Sequence, residues 1–556
     1  EISGDHPLIY LELSRSWNRL GYRPKALETL KRAHETRTVL SRRKQLEIEA
    51  EYFTLDHDWS AARDSWYSLK SFYPTELNYW LSLSEVNLSQ SNVDEVASLL
   101  EEMRALPDPL GSDLRIDLLE GKYWYHKGDY AEGETVIAET ISKARAMGER
   151  DILAEALLQM VSFIKVSGLE YLNEAEEIYR ADANISKLAT TLGHKAGIHR
   201  TAGRLNEAEA TFLEAIELAE SIGDEVTRSW QLNGLVIVYD LMGRQSESLA
   251  IKQELASYLK ERQIQNRYGI MLENIGISNF KLGRLAAADE SFRAALDVFH
   301  DVDDLIGIAW HPQHMSRVMS RKGDLASARK LAEDAFARSS DRPEGDLAGN
   351  SQYELAQIDL YEGRFAPALA RLERIRPAFV AYENFITVAE TDHLMARIKM
   401  RSGDLQAAYL DLAKAIEFFE ADALPNYQLK SGITRVDLGF RLGSQSLADD
   451  CQRLQQLTEK SEYLEFTLKA ESRILRCAVR FERLTLSAAQ SRMADIREKA
   501  LGATMFEAEL DTAIQSAWIG RDLSEEDAEN DARKRALAIA AQYQVSLDGM
   551  LPEQGR

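Results

Sequence analysis

The sequence is poor in everything that breaks, bridges or anchors a chain. It holds only 11 proline and 30 glycine residues in 556, too few for long flexible linkers, and no low-complexity stretch occurs. The two cysteines, Cys451 and Cys477, form neither a CxxC nor a metal-binding spacing, which excludes a disulfide framework. Two unpaired helical thiols are expected, with a single bridge as the alternative in an oxidising compartment. No apolar run reaches the roughly 18 residues a membrane-spanning helix needs, so no membrane insertion is expected. Basic residues are in deficit, 67 Lys and Arg against 90 Asp and Glu for a formal charge of -23. Such a surface repels phosphate backbones and argues against direct nucleic-acid binding. GxSxG, HExxH, P-loop and GxGxxG signatures are all missing, so neither catalysis nor a cofactor is expected. The chain opens at Glu1 with no methionine and no signal peptide, and reads as a mature or excised segment of something longer.

What is present is long, breaker-poor sequence rich in Ala, Leu, Glu and Arg, which favours helix throughout. At 556 residues it exceeds the roughly 250–300 at which a single core stops growing, which leaves several domains or a repeat array. A repeat is visible: GRLNEA from Gly203, GRLAAA from Gly283, GDLASA from Gly323, GRFAPA from Gly363 and GDLQAA from Gly403. Weaker copies begin at Gly243 and Gly443, and the seven glycines are 40 residues apart without exception. Continuing the step gives Arg483 with Ala488, then Leu523 with Ala528. Upstream the slots loosen to Gly21, His57, Ser91, Gly128 and a stretched copy at Gly168. The count predicts 14 hairpins, about 28 helices.

Each position in the unit has a physical reason. Glycine ends the first helix because the residue after the helix takes the left-handed conformation. The small residue five later lets the second helix lie close against the first. Apolar residues then follow four and seven further on, as in Ala208, Phe212 and Ala215, which make one buried stripe. Seven before the glycine the residue is small (Ala196, Gly276, Ser316, Ala356, Ala396), a choice expected to bring neighbouring hairpins together.

The G-x-x-x-x-A spacing, with small and large residues alternating, resembles the tetratricopeptide repeat (TPR), here mostly in a 40-residue variant of a unit of about 34. The resemblance implies an all-α, right-handed α-solenoid of about 14 TPR-like hairpins. Its expected parts are near-standard repeats over 1–121, irregular repeats over 122–202, a regular array over 203–482, degenerate repeats over 483–544 and a frayed tail over 545–556. Residues 73–121 are similar to the TPR regions of bacterial winged-helix transmembrane regulators or Ser/Thr kinases, although Leu114 stands where that motif carries proline. Carried over, this implies a non-catalytic sensor or interaction module, periplasmic if it follows a transmembrane helix and otherwise cytoplasmic.

The sharpest metal candidate, His311 and His314, shares one helix face, but nothing at helical spacing supplies the third ligand that a metal normally takes. Pro312 would disrupt a helix interior, so that helix is expected to kink or to start late, near Trp310. The binding candidate is the inner strip of the first helices, 13, 10, 6 and 3 residues before the glycine. It comprises Trp230, Asn233, Trp310, Gln313, Arg317, Asn350, Tyr353, Gln357, His393 and Arg397 as a ligand groove. Aromatic rings and arginines dominate binding energy, and arginine offers a fork to carboxylates. The expected partner is a protein or peptide, or else a small ligand; homo-oligomerisation is left open. The alternative is that these side chains only pack or pair with the array's own acids, in a structural scaffold without a ligand.

Overall fold

The computed structural model describes residues 6–19, 22–164, 168–339, 346–381, 384–421, 424–481 and 483–553. Among them are 28 α-helices, a single 3-10 turn at Arg37–Val39 and no strand. None of these helices is long and apolar enough to cross a membrane. The chain forms two compact units, Glu1–Val238 and Tyr239–Arg556.

In the first unit α1 (Pro7–Arg19) pairs with α2 (Arg23–Thr36), and α3 (Arg42–Asp56) with α4 (Trp59–Phe72). The hairpins α5 (Leu77–Ser89) with α6 (Val93–Arg104) and α7 (Leu114–Lys127) with α8 (Tyr130–Met147) follow. Next come α9 (Arg150–Ile164) with α10 (Leu169–Ala181) and α11 (Ile185–Thr201) with α12 (Leu205–Ser221). The division between the units falls within α13 (Glu225–Met242).

The second unit continues with α14 (Gln245–Glu261), α15 (Gln265–Lys281) with α16 (Leu285–Asp301), and α17 (Leu305–Lys322) with α18 (Leu325–Arg338). After them come α19 (Asp346–Tyr361) with α20 (Phe365–Ala381) and α21 (Phe385–Ser402) with α22 (Leu405–Ala421). The last three hairpins are α23 (Pro425–Leu442) with α24 (Leu447–Thr458), α25 (Leu464–Arg480) with α26 (Leu486–Gly502), and α27 (Phe506–Asp522) with α28 (Glu526–Tyr543).

The repeat chemistry accounts for the hairpins. All seven glycines of the regular array have positive φ, from 63° at Gly443 to 95° at Gly403. Where the slot lacks glycine, His57 and Ser91 take the same conformation at 65° and 60°; Gly21 lies outside the described residues. Ala208, Ala288, Ala328, Ala368 and Ala408 are completely buried. A second left-handed series, at Ala183, Gly223, Gln263 and Asp303, closes the second helices 20 residues out of phase, where only one of the four residues is glycine.

Several expectations need correction. The small residue seven before the glycine packs inside its own hairpin. A Cβ on Gly276 would stand 2.6 Å from Phe292, and the Ser316 hydroxyl donates to the Ala328 carbonyl at 2.7 Å. In the last two hairpins the slot is one residue later than a strict step of 40. Ser524, at φ 59°, takes the left-handed turn in place of Leu523, and Ala489 and Glu529 are buried where Ala488 and Ala528 are not. Pro312 sits inside a helix that begins at Leu305, because Asp304 caps that end by accepting from the amides of Ile306 and Gly307. Proline removes one backbone donor, and the capped, buried helix outweighs that loss. Cys451 and Cys477 are bridged, joining α24 to α25 with their Cα atoms 6.2 Å apart. Finally, residues 545–553 are seated against the second unit, as described below.

Candidate ligand-binding interior

Successive first helices of the second unit touch one another. They turn toward a shared interior, because hairpins far apart in sequence meet there. Phe280, Met315 and Val318 share one apolar cluster with Leu429, Ile433, Phe466 and Cys477. The turn at Gly283 approaches Leu464 and Met505, and that at Gly363 approaches Ser546. The Ser246 amide donates to Glu462 at 2.7 Å.

This interior is charged. Arg321 pairs with Glu465 and Glu507. Lys469 donates to Glu465 at 2.5 Å and also to Glu507. Arg473 bridges Asp437, at 2.9 Å, and Asp511. Lys430 reaches Glu390 at 2.8 Å and the Tyr353 hydroxyl at 3.4 Å. Burial opposes ionisation of Glu465, but Arg321 and Lys469 outweigh it and hold the carboxyl down to about 2. Burial dominates for Lys469, pushed down to about 8, and for Glu507, pushed up to about 7.

The strip residues fall into two groups. Trp230 and Asn233 belong to the first unit and are exposed on α13; the others lie on α17, α19 and α21 of the second. Trp310 is half-buried near His314, with ring centroids 6.0 Å apart. Gln313 is buried, and its side-chain oxygen has no hydrogen-bond donor. Asn350 and Gln357 are half-buried. His393 is 1% exposed and bonds Thr434 through Nε2 at 2.9 Å, while its Nδ1 has no partner. Burial, with Lys430 and Arg397 nearby, pushes this imidazole well below its ordinary range. His314 is committed to Glu273 at 2.7 Å and stacks on Phe292. No group of three His, Cys, Asp or Glu suited to a metal occurs among the described residues.

Arg317 and Arg397 stand apart from the ion-pair network. Arg317 lies against the Phe280 ring at 4.9 Å, with the Glu354 carboxyl feeling its charge. Arg397 lies deep in the unit, where burial lowers its affinity for its proton against the pull of Tyr353 and Glu465. Neither guanidinium has a carboxylate within 4.0 Å among the described residues. Both side chains are half-buried, with the Glu354 and Glu465 carboxylates acting on them from beyond ion-pair distance.

A second basic column escaped the sequence reading. Two residues before the glycine slot stand Lys281, Arg321, Arg401, Arg441 and Arg521. The same 40-residue register that revealed the glycines reveals this column.

Residues 189–222 match the tetratricopeptide repeat model, and with the 28 helices of the described residues this supports a helical-repeat protein of TPR type. Among solved structures it is similar to a Rap protein complexed with competence and sporulation factor, at 14% identity over 64% of this chain and 99% of that one, TM-score 0.48. It is also similar to the Cut9–Hcn1 hetero-tetramer of the APC/C, at 13% identity over 91% and 95% with TM-score 0.49. A third similarity is to the apo form of the quorum sensor NprR from B. thuringiensis, at 16% identity over 63% and 99% with TM-score 0.45. No curated protein sequence matches.

Proposed function

We propose that this chain is a non-catalytic interaction module whose second unit takes up an acidic ligand, a peptide end or a small carboxylate, on Arg317 and Arg397. The observation that carries the reading is that both guanidinium groups lie in the interior without an ion pair. A bound carboxylate would accept two parallel hydrogen bonds from such a fork. Tyr353, with its ring on the same helix face, and the unpartnered Gln313 oxygen and His393 Nδ1 would serve the rest of the ligand.

The similarity of residues 73–121 to bacterial signalling proteins makes the ligand a signal read by an effector elsewhere in the protein. The Cys451–Cys477 bridge supports the periplasmic version, since disulfides persist in oxidising compartments. The test is to extract the purified chain and identify co-purified molecules by mass spectrometry. Arg317→Ala with Arg397→Ala should abolish retention and leave the melting temperature level or higher, because two half-buried charges that form no ion pair are gone. Retention unchanged, with a lower melting temperature, would make the arginines structural and the chain a scaffold.

A further inference from the structure

The segment expected to fray follows the second basic column. Arg401 donates to the carbonyls of Ser546, at 2.8 Å, and Asp548, at 3.2 Å, while holding Leu360 O at 2.7 Å. Arg441 donates to Gly549 O and, at 3.0 Å, to Met400 O. The Trp518 indole donates to Met550 O at 2.8 Å, Arg533 to Pro552 O and Arg521 to Glu553 O. The Ser546 amide in turn donates to Tyr361 O at 2.8 Å. Five side chains from four helices thus hold six main-chain carbonyls of a nine-residue stretch. Val545, Leu547, Met550 and Leu551 pack on the α27–α28 cluster.

Two features make this a recognition track. Its contacts are to the main chain, so they read a backbone path, with a turn at 548–550, and not one particular residue, as peptide-binding surfaces do. The charges are also complementary: the segment VSLDGMLPE carries two acids and no base, opposite four arginines. The segment is moreover shaped to fit. Asp548 N donates to the Ser546 hydroxyl at 3.0 Å, and Gly549 turns at φ 66° with no room for a Cβ against the Arg401 carbonyl.

We propose that Arg401, Arg441, Trp518, Arg521 and Arg533 form a peptide-binding track, that residues 545–553 are its tethered occupant, and that an acidic peptide of a partner protein able to make the same turn binds by displacing them. A tethered occupant has an effective concentration in the millimolar range, so a free peptide competes only when it is abundant or fits better. Arg401 lies one turn from Arg397 on α21 and feels its charge, whereas Arg441, Trp518, Arg521 and Arg533 lie on other helices, so variants at these four test the track apart from Arg317 and Arg397.

The probe is a fluorescein-labelled peptide of residues 545–553 added to the full chain. Wild type should bind it weakly. Gly549→Val should displace the tethered segment without touching the track, raise amide exchange at Ser546 at least tenfold, and tighten peptide binding at least tenfold. Adding Arg441→Ala and Arg533→Ala to that variant should return binding to background. Released exchange without peptide binding would overturn the proposal, as would equal binding to wild type and variant. If Gly549→Val does not fold, wild type with millimolar unlabelled peptide decides it. Faster exchange at 546–550 supports the track, and no change overturns it.

Discussion

Breaking the cross-link between Cys451 and Cys477 tests the packing of the last three hairpins. The bridge spans 26 residues, from α24 through the turn into α25. In the chain-entropy account, closing a loop of that length removes about 12 cal/mol/K from the unfolded chain, about 3.5 kcal/mol at 25 °C. Both sulfurs are buried, in side chains 7% and 4% exposed within one apolar cluster, so replacing them also removes packing. Urea unfolding of oxidised wild type, reduced wild type and the Cys451→Ala, Cys477→Ala double variant separates the two effects. Reduction should lower stability by about 2–4 kcal/mol, and the double variant should lose a further 1 kcal/mol or so through lost contacts. Thiol counting on the denatured, unreduced chain should find none. Two reactive thiols, or an unchanged midpoint on reduction, would refute the pairing and with it the contact of α24 on α25.

Four other outcomes follow from the structure. Ala288→Leu, at a completely buried position, should cost about 1–3 kcal/mol by forcing α15 and α16 apart, and an unchanged melting temperature would remove the close contact. Gly283→Ala should cost more than Gly403→Ala: both turns are left-handed, at about 1–2 kcal/mol, but a Cβ at 283 would also stand 2.5 Å from Leu464 while that at 403 meets nothing. Equal losses would contradict the closed interior. Because Glu465 has its folded pKa depressed to about 2, its contribution, up to about 3 kcal/mol, is present above its unfolded value near 4.5 and lost as pH falls toward 2. Glu465→Gln should flatten that acid limb in urea titrations, and an acid limb of unchanged steepness would exclude the role. Far-ultraviolet circular dichroism should be dominated by helix, and strand above about 10% would sink the repeat assignment.

Helix count, hairpin order and turn positions were legible because they depend on residues a few positions apart. Glycine at the left-handed slot, a small residue five later and an apolar stripe act within one hairpin, so one sequence displays them 40 residues at a time. The slip at Leu523 and Ser524 shows the limit of strict counting: once glycine is gone, the chain places the left-handed turn where the helix contact requires it. The helix carrying Pro312 starts at Leu305 and not near Trp310 for a similar reason, since the local penalty of proline is set against the Asp304 cap and a buried helix.

The sequence by itself determined a TPR-type array, its acidity and the two basic columns. It could not determine what those columns face. Arg317 and Arg397 read as groove residues, but only the tertiary structure turns them toward the interior and leaves both without an ion pair among the described residues. The Cys451–Cys477 bridge and the seating of residues 545–553 on Arg401 and Arg441 are likewise decisions of tertiary structure. The reason is range: a repeat's local pattern specifies each hairpin and its stacking on the next, whereas small rotations between hairpins accumulate. Their sum over some 200 residues decides which distant helices meet.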